Sequence, residues 1–248
     1  MTMPILLALS LALSPMPAPA SADDSLCADC HMGLAGEAVS DPHIADWSNS
    51  PHREHGVGCE GCHGGNPRAF DQYRAHEGIL PSAHPDSPTH WARLPETCGR
   101  CHVASFSAYS QSSHWRLLRE GNQYSPNCTT CHGEVAALAL GRGLQAHCNH
   151  CHGAEAEFPM TEALATGSAA LQQFRETARV RRKVRGLIER QRDEALRRDL
   201  ERAFFEAESS WQEAIVAGHR FDFDEMTAQV DAASAAFDRL HKAIHRLD

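Results

Sequence analysis

All ten cysteines of this 248-residue chain fall in one pattern, Cys-x-x-Cys-His, and that pattern occurs five times. The copies are Cys27-Ala-Asp-Cys30-His31, Cys59-Glu-Gly-Cys62-His63, Cys98-Gly-Arg-Cys101-His102, Cys128-Thr-Thr-Cys131-His132 and Cys148-Asn-His-Cys151-His152. Residues 26 to 152 also hold 14 of the 17 histidines, together with much Gly, Pro and Ser and little Leu, Ile, Val or Phe. A stretch of that composition lacks the apolar side chains of an ordinary core. Something other than side chains must fill it.

Pairs of Cys-x-x-Cys can hold structural zinc, and ten cysteines in an exported chain can form five disulfides. Neither alternative needs a histidine directly after every second cysteine. The full pattern, five times out of five, is that of covalent haem attachment. Two thiols add across the two vinyl groups of one porphyrin, and the adjoining histidine lies under the iron. The sequence therefore assigns five covalently attached haem c groups to Cys27, Cys30, Cys59, Cys62, Cys98, Cys101, Cys128, Cys131, Cys148 and Cys151. The proximal iron ligands are His31, His63, His102, His132 and His152. Five macrocycles in so short a stretch must lie close together, and they supply the missing apolar filling. Their potentials are set by axial ligand, burial and nearby charge.

A second histidine on an iron makes a saturated electron-transfer centre, whereas an open position permits substrate chemistry. Trp47-Ser-Asn-Ser50-Pro-His52 precedes the second motif, and Tyr109-Ser-Gln-Ser112-Ser-His114 precedes the fourth. The shared aromatic-Ser-x-Ser-x-His pattern marks a duplicated unit. His52 and His114 head the set of distal ligands, His76 follows, and His43, His90 and His147 complete it. His55, His84 and His150 read as surface or propionate-bonding residues; Met32 and Met160 are further thioether candidates, Met32 disfavoured by its place directly beside a motif. No catalytic residue is assigned.

The remainder of the chain has another character. Ile5 to Leu13 is a short apolar run, closed by Pro15, Pro17, Pro19 and the small-residue site Ala20-Ser21-Ala22, as in a cleaved export signal. No later segment is apolar enough to span a bilayer. Residues 160 to 248 contain no cysteine and only His219, His241 and His245. From Ala163 to Ala217 apolar residues recur at helical spacing without a proline. That pattern predicts a long helix, broken near Gly186 or before Ala203 and stopping at Gly218-His219. A shorter return helix capped by Asp222 or Asp224 would complete a hairpin. The Arg175 to Arg202 stretch is basic and reads as a solvated face, or else as a docking surface for propionates or an acidic partner. The expected domains are a signal at 1–22, a haem domain at 23–158 and a helical domain at 159–248. A net charge of −9 excludes a general nucleic-acid binder.

Taken together, Cys27 to His31, Trp47 to His52, Gly58-Cys59-Glu-Gly-Cys62-His63-Gly64-Gly65, and Tyr109 to His114 with Cys128 to Gly133 resemble the multihaem c-type cytochrome superfamily. That group includes the tetrahaem cytochrome of ammonia oxidisers, pentahaem nitrite reductase and hydroxylamine oxidoreductase. The resemblance implies a mainly α fold: short helices and irregular loops around stacked haems, then a long C-terminal helical hairpin or bundle. It also implies bis-His ligation and periplasmic or extracellular redox work. Nitrite reductases commonly use lysine as proximal ligand of the catalytic haem. Here every motif ends in His, and the only lysines are Lys183 and Lys242, outside the haem region. The expectation is therefore an electron carrier. Its partners would be redox proteins, quinol-linked or a periplasmic cytochrome or reductase, with a homo-oligomer through the helical region as a further expectation. The alternative is a reductase or oxidase of small nitrogen or sulfur oxyanions with one open-site haem, for which Arg53, Arg100, His55 or Tyr109 would supply donors.

Overall fold

The computed structural model describes residues 25–32, 41–133, 144–157 and 159–246, with the side chains of residues 41 and 42 excepted. The export signal expected at 1–22 lies outside the described residues. Helices alone make up the regular structure there. Ten are short: α1 Cys27–Met32, α2 Asp41–Ser48, α3 Pro51–Glu54, α4 Glu60–His63, α5 Gln72–Ala75, α6 Leu94–Gly99, α7 Val103–Tyr109, α8 Ser113–Arg119, α9 Cys128–His132 and α10 Leu144–His152. Three long ones follow: α11 Thr161–Glu189, α12 Glu194–Arg220 and α13 Phe223–Ile244. The mainly α reading of the sequence holds. No described helix is long and apolar enough to cross a membrane.

Core material is divided unevenly between the two halves. Before residue 158, the buried apolar side chains among the described residues are little more than Ala28, Ile44, Trp47, Ala108, Tyr109 and Leu118. The long helices bury a continuous seam instead. On α12 it runs Leu200, Phe204, Ala207, Trp211, Ala214 and Ala217, and on α13 Met226, Val230, Ala233, Phe237, Leu240 and Ile244. Spacings of three and four keep each set on one helix face, so the helices pack side by side. Phe174 of α11 stacks on Trp211 with ring centroids 3.8 Å apart. Phe204 and Phe237 meet at 5.3 Å.

Polar contacts fix the register of this bundle. Arg181 of α11 reaches Glu208 of α12 through two bonds, Nε to Oε1 at 2.5 Å and Nη2 to Oε2 at 2.9 Å. Its guanidinium also lies over Phe204 and Trp211, and Arg185 lies 4.3 Å over Phe204. Part of the basic stretch is therefore turned inward. Farther along, Arg197, Arg198 and Arg202 pair with acids one helical turn away on a solvated face.

The structure places both boundaries of the periodicity reading. The expected break falls after Glu189, just past Gly186 and ahead of Ala203, while Gly186 itself stays helical. One mid-helix glycine costs about 1 kcal/mol, which the buried Val184 and Ile188 on either side outweigh. The break is set by Asp193, whose carboxylate accepts from the backbone N–H of Ala195 and Leu196 at 2.9 and 3.0 Å. The broken pattern thus becomes two long helices, and with α13 the array is a three-helix bundle. Asp193→Ala is expected to lower stability by about 1 kcal/mol, read as a lower urea midpoint with unchanged slope. The second boundary is the stop. Rather than ending at Gly218-His219, α12 runs to Arg220, and Phe221 turns the chain with φ 62°. Asp222 caps α13 as expected, accepting from Glu225 N–H at 3.1 Å.

Candidate haem sites

Each motif occupies a helical turn. Motifs one, four and five lie within α1, α9 and α10; motif two begins at the residue before α4, and motif three runs out of the end of α6. Cysteines three apart project from one side of a turn, and a histidine four after the first joins them. The local fold thus gathers two sulfurs and an imidazole on one face. Directly after His63 and His132, Gly64 and Gly133 take φ of 78° and 75°. That left-handed step ends the helix at little cost because glycine has no Cβ. Each of these two motif histidines is left on the final turn of its helix.

Every motif histidine faces one other histidine. His31 meets His76 with ring centroids 5.8 Å apart, His63 meets His43 at 5.9 Å, and His102 meets His52 at 6.1 Å. His152 meets His114 at 5.9 Å, and His132 meets His219 at 5.9 Å. Such spacing is too wide for direct stacking and nearly constant across the five. Imidazole nitrogens bind metals at about 2.0–2.1 Å, so two imidazoles trans across one metal have centroids about 6 Å apart. The residues present fit a metal between each pair, with two cysteines beside it.

Tautomers are consistent with that fit. His76 Nδ1 lies 2.8 Å from the Gln72 carbonyl, and His219 Nδ1 lies 2.7 Å from that of Ile215. A carbonyl only accepts, so Nδ1 carries a proton and Nε2 is the nitrogen left to bind a metal. A metal-bound histidine commonly donates its other N–H in this way. His63 and His114 are pushed below the ordinary imidazole range, first by burial and then by their partners His43 and His152. The neutral form is the one that binds iron.

The duplicated unit is a structural one. Ser50 and Ser112 each N-cap a helix, accepting from Arg53 N–H at 3.4 Å and Trp115 N–H at 3.1 Å. That places His52 and His114 in the first turns of α3 and α8. Trp47 Nε1 donates to the Val57 carbonyl at 2.9 Å, and Tyr109 Oη donates to the Pro126 carbonyl at 2.5 Å. Each clamped carbonyl stands two residues before the first cysteine of the next motif. In both units the serine-capped histidine skips that next motif and faces the one after it. The first unit ends at Cys98-Cys101-His102, and the second begins at Tyr109. Tyr109→Phe removes one clamp. It is expected to lower stability by about 0.5–1.5 kcal/mol in thermal unfolding, whereas an unchanged midpoint would show that the bond to Pro126 is not supporting the motif.

The motifs are neighbours in chain order. The Ser25 hydroxyl donates to Glu60 at 3.2 Å, joining the first two. Burial pushes the Cys59 thiol up to about 11, and nearby Cys27 adds to the shift. Cys62 is likewise raised by burial and then by Cys98. A hydrogen bond shared with Cys128 lowers Cys98 to about 7 and raises Cys128. Burial, with Cys148 and Cys151 close by, lifts Cys131 to about 11. These sulfurs are thioethers once haem is attached; what carries over is their proximity. Helix α9 packs on both α6 and α10, in agreement with that order.

Of the six histidines expected as distal partners, the structure brings His52, His114, His76 and His43 to motif histidines. His90 instead rests on Trp91 at 5.4 Å and accepts from the Ala92 N–H. His147 is exposed on α10. The fifth partner, His219, was not anticipated; its signal was an isolated histidine at the end of a cysteine-free helix. Three of the four residues named as donors for an open site are engaged elsewhere: Tyr109 Oη at Pro126, Arg100 at Thr97, and Arg53 over the Trp47 ring.

Helical turns that present two cysteines and a histidine, repeated along one chain and each facing a second histidine, define a c-type cytochrome of several haems. Comparison with known proteins agrees. Residues 83–158 match the family described as cytochrome c7 and related cytochrome c. The chain is similar to the C-type polyheme cytochrome OmcC of Geobacter sulfurreducens, 26% identical over 125 residues, which is 48% of this chain and 15% of that protein. It is similar also to OmcB of two strains of the same species, 29% identical over 130 residues, again 48% of this chain and 15% of the relative. No solved structure matches the chain. These similarities and the paired histidines support a multihaem c-type cytochrome, a class in which haem c is covalently bound. It spans only a small part of the length of these curated relatives.

Proposed function

We propose that this protein carries five haem c groups, each between a motif histidine and a second histidine, and passes electrons along them between redox partners. One observation carries the reading: all five motif histidines face a different partner at 5.8–6.1 Å. Bound haem supplies a one-electron iron couple. The chain would supply an imidazole from each member of a histidine pair, and motif sulfurs that adjoin in sequence order. With two histidines committed to each iron, none would offer a site for substrate. That arrangement favours carriage over reduction of an oxyanion. Cytochromes of this kind are exported, and the apolar leader with its small-residue site supports a periplasmic or extracellular location. Redox proteins are the partners this chemistry requires.

The test is a count and a spectrum on the holoprotein. Intact mass should show five haem additions, and the oxidised protein should be wholly low-spin, with no uptake of cyanide or nitrite. A high-spin component that binds either anion would overturn the carrier reading in favour of an open-site enzyme.

A further inference from the structure

The turn between α12 and α13 is remote in sequence from every motif, yet it meets two of the paired sites. His219, in the last turn of α12, faces His132 with the rings nearly parallel, 16° apart. Its Nδ1–H is held by the Ile215 carbonyl, which aims Nε2 outward from the helix. Two residues later the Phe221 ring stands edge-on against His114, with centroids 4.4 Å apart and planes at 78°. His114 is itself the partner of His152. One turn thus touches the fourth site through a nitrogen and the fifth through a ring.

Phe221 is the one non-glycine residue with positive φ among the described residues. Its N–H bonds to the Gly218 carbonyl, and Asp222 N–H returns to Ala217, both at 3.1 Å. A glycine usually occupies this position of a helix terminus, because a residue with a Cβ is strained in the left-handed region. The phenyl ring is set against that strain. It reaches His114 on one side, and Phe223 lies at 6.4 Å. Glycine in its place would close the helix more cheaply but leave the His114 ring unsupported.

We propose that the 218–223 turn closes two adjacent iron sites: His219 is the distal ligand of the iron at His132, and Phe221 is a positioning residue that holds His114 toward the iron at His152. The proposal rests on the reading of the paired histidines as axial ligands, and it adds that the helical bundle is tied to the haem region by an iron bond. Helix α12 also packs on α7 and α11 on α10, so the bundle is already seated there. The bond through His219 makes bundle position and ligation state one event: a bundle that lifts away uncovers one iron and loosens a second.

His219→Ala in the holoprotein tests it. Five haems should still be counted by mass. One of them should become high-spin and take up one equivalent of carbon monoxide when reduced, and added imidazole should restore the low-spin spectrum. A variant that stays wholly low-spin and takes up no carbon monoxide would overturn the proposal. Failure of the underlying reading is seen separately, in the wild type, as a different haem count or a high-spin component before any mutation. Should His219→Ala fold poorly, His219→Met keeps a ligand in place. It should leave all haems low-spin with one moved to higher potential, since Met ligation raises it; an unaltered redox titration would count against His219. Phe221→Gly suits the left-handed turn and removes only the ring. It should shift the electron paramagnetic resonance signal of one low-spin haem while the others hold, and unchanged signals would refute the positioning role.

Discussion

Replacing Cys98 and Cys101 together by alanine is expected to yield a protein with four haems in place of five and a broken electron path. The reason is position. Cys62 lies beside Cys98 and Cys101, and Cys98 shares a hydrogen bond with Cys128, so the third motif touches both the second and the fourth. Its loss leaves two haems on each side of a gap. Replacing Cys27 and Cys30 also removes one haem but leaves the other four in an unbroken order. Intact mass reports the count in both variants, and protein-film voltammetry reports electron exchange along the molecule. The middle variant should exchange far more slowly than the end variant; equal rates would show that the motifs do not conduct in sequence order. The middle variant should also lose stability. Deleting one buried phenylalanine side chain costs about 3–5 kcal/mol. A macrocycle is larger, and few buried apolar side chains surround it.

The second large effect belongs to the bundle. Phe237 is fully buried at the centre of the α12–α13 seam, against Phe204. Phe237→Ala is expected to cost about 3–5 kcal/mol through lost transfer energy and the cavity left behind. Urea unfolding followed on the helical signal checks it, and a loss below about 1 kcal/mol would mean the site collapses to fill the space. The haem count should not change, because every attaching cysteine lies upstream.

Much of the site was legible because its chemistry is local. Two thiols and an imidazole within five residues declare a haem turn without reference to the rest of the chain. His52 and His114 were legible for a related reason: the serine cap and the clamping aromatic are neighbours in sequence, so the unit repeats as a readable string. His76 and His43 could be named only as available histidines. His90 and His147 looked equally available, yet local contacts turn one toward Trp91 and leave the other exposed. His219 could not be found that way. What brings it to His132 is the packing of a bundle, and the residues that direct that packing sit three and four apart over two whole helices. The helix ends show the same limit. Periodicity located the apolar seam, but the break depended on Asp193 as a cap and the stop on a phenylalanine in a conformation that usually selects glycine.

The pairing of histidines also sets an order of assembly. His43, His52 and His114 precede in sequence the motifs they face. His76 follows its motif at a short distance. His219 comes last of the five, after every cysteine. A nascent molecule therefore passes through a stage in which all five attachment motifs exist and the fourth lacks its partner. Completion of the bundle ends that stage, and folding of the final helices becomes the step that seals the molecule against stray ligands.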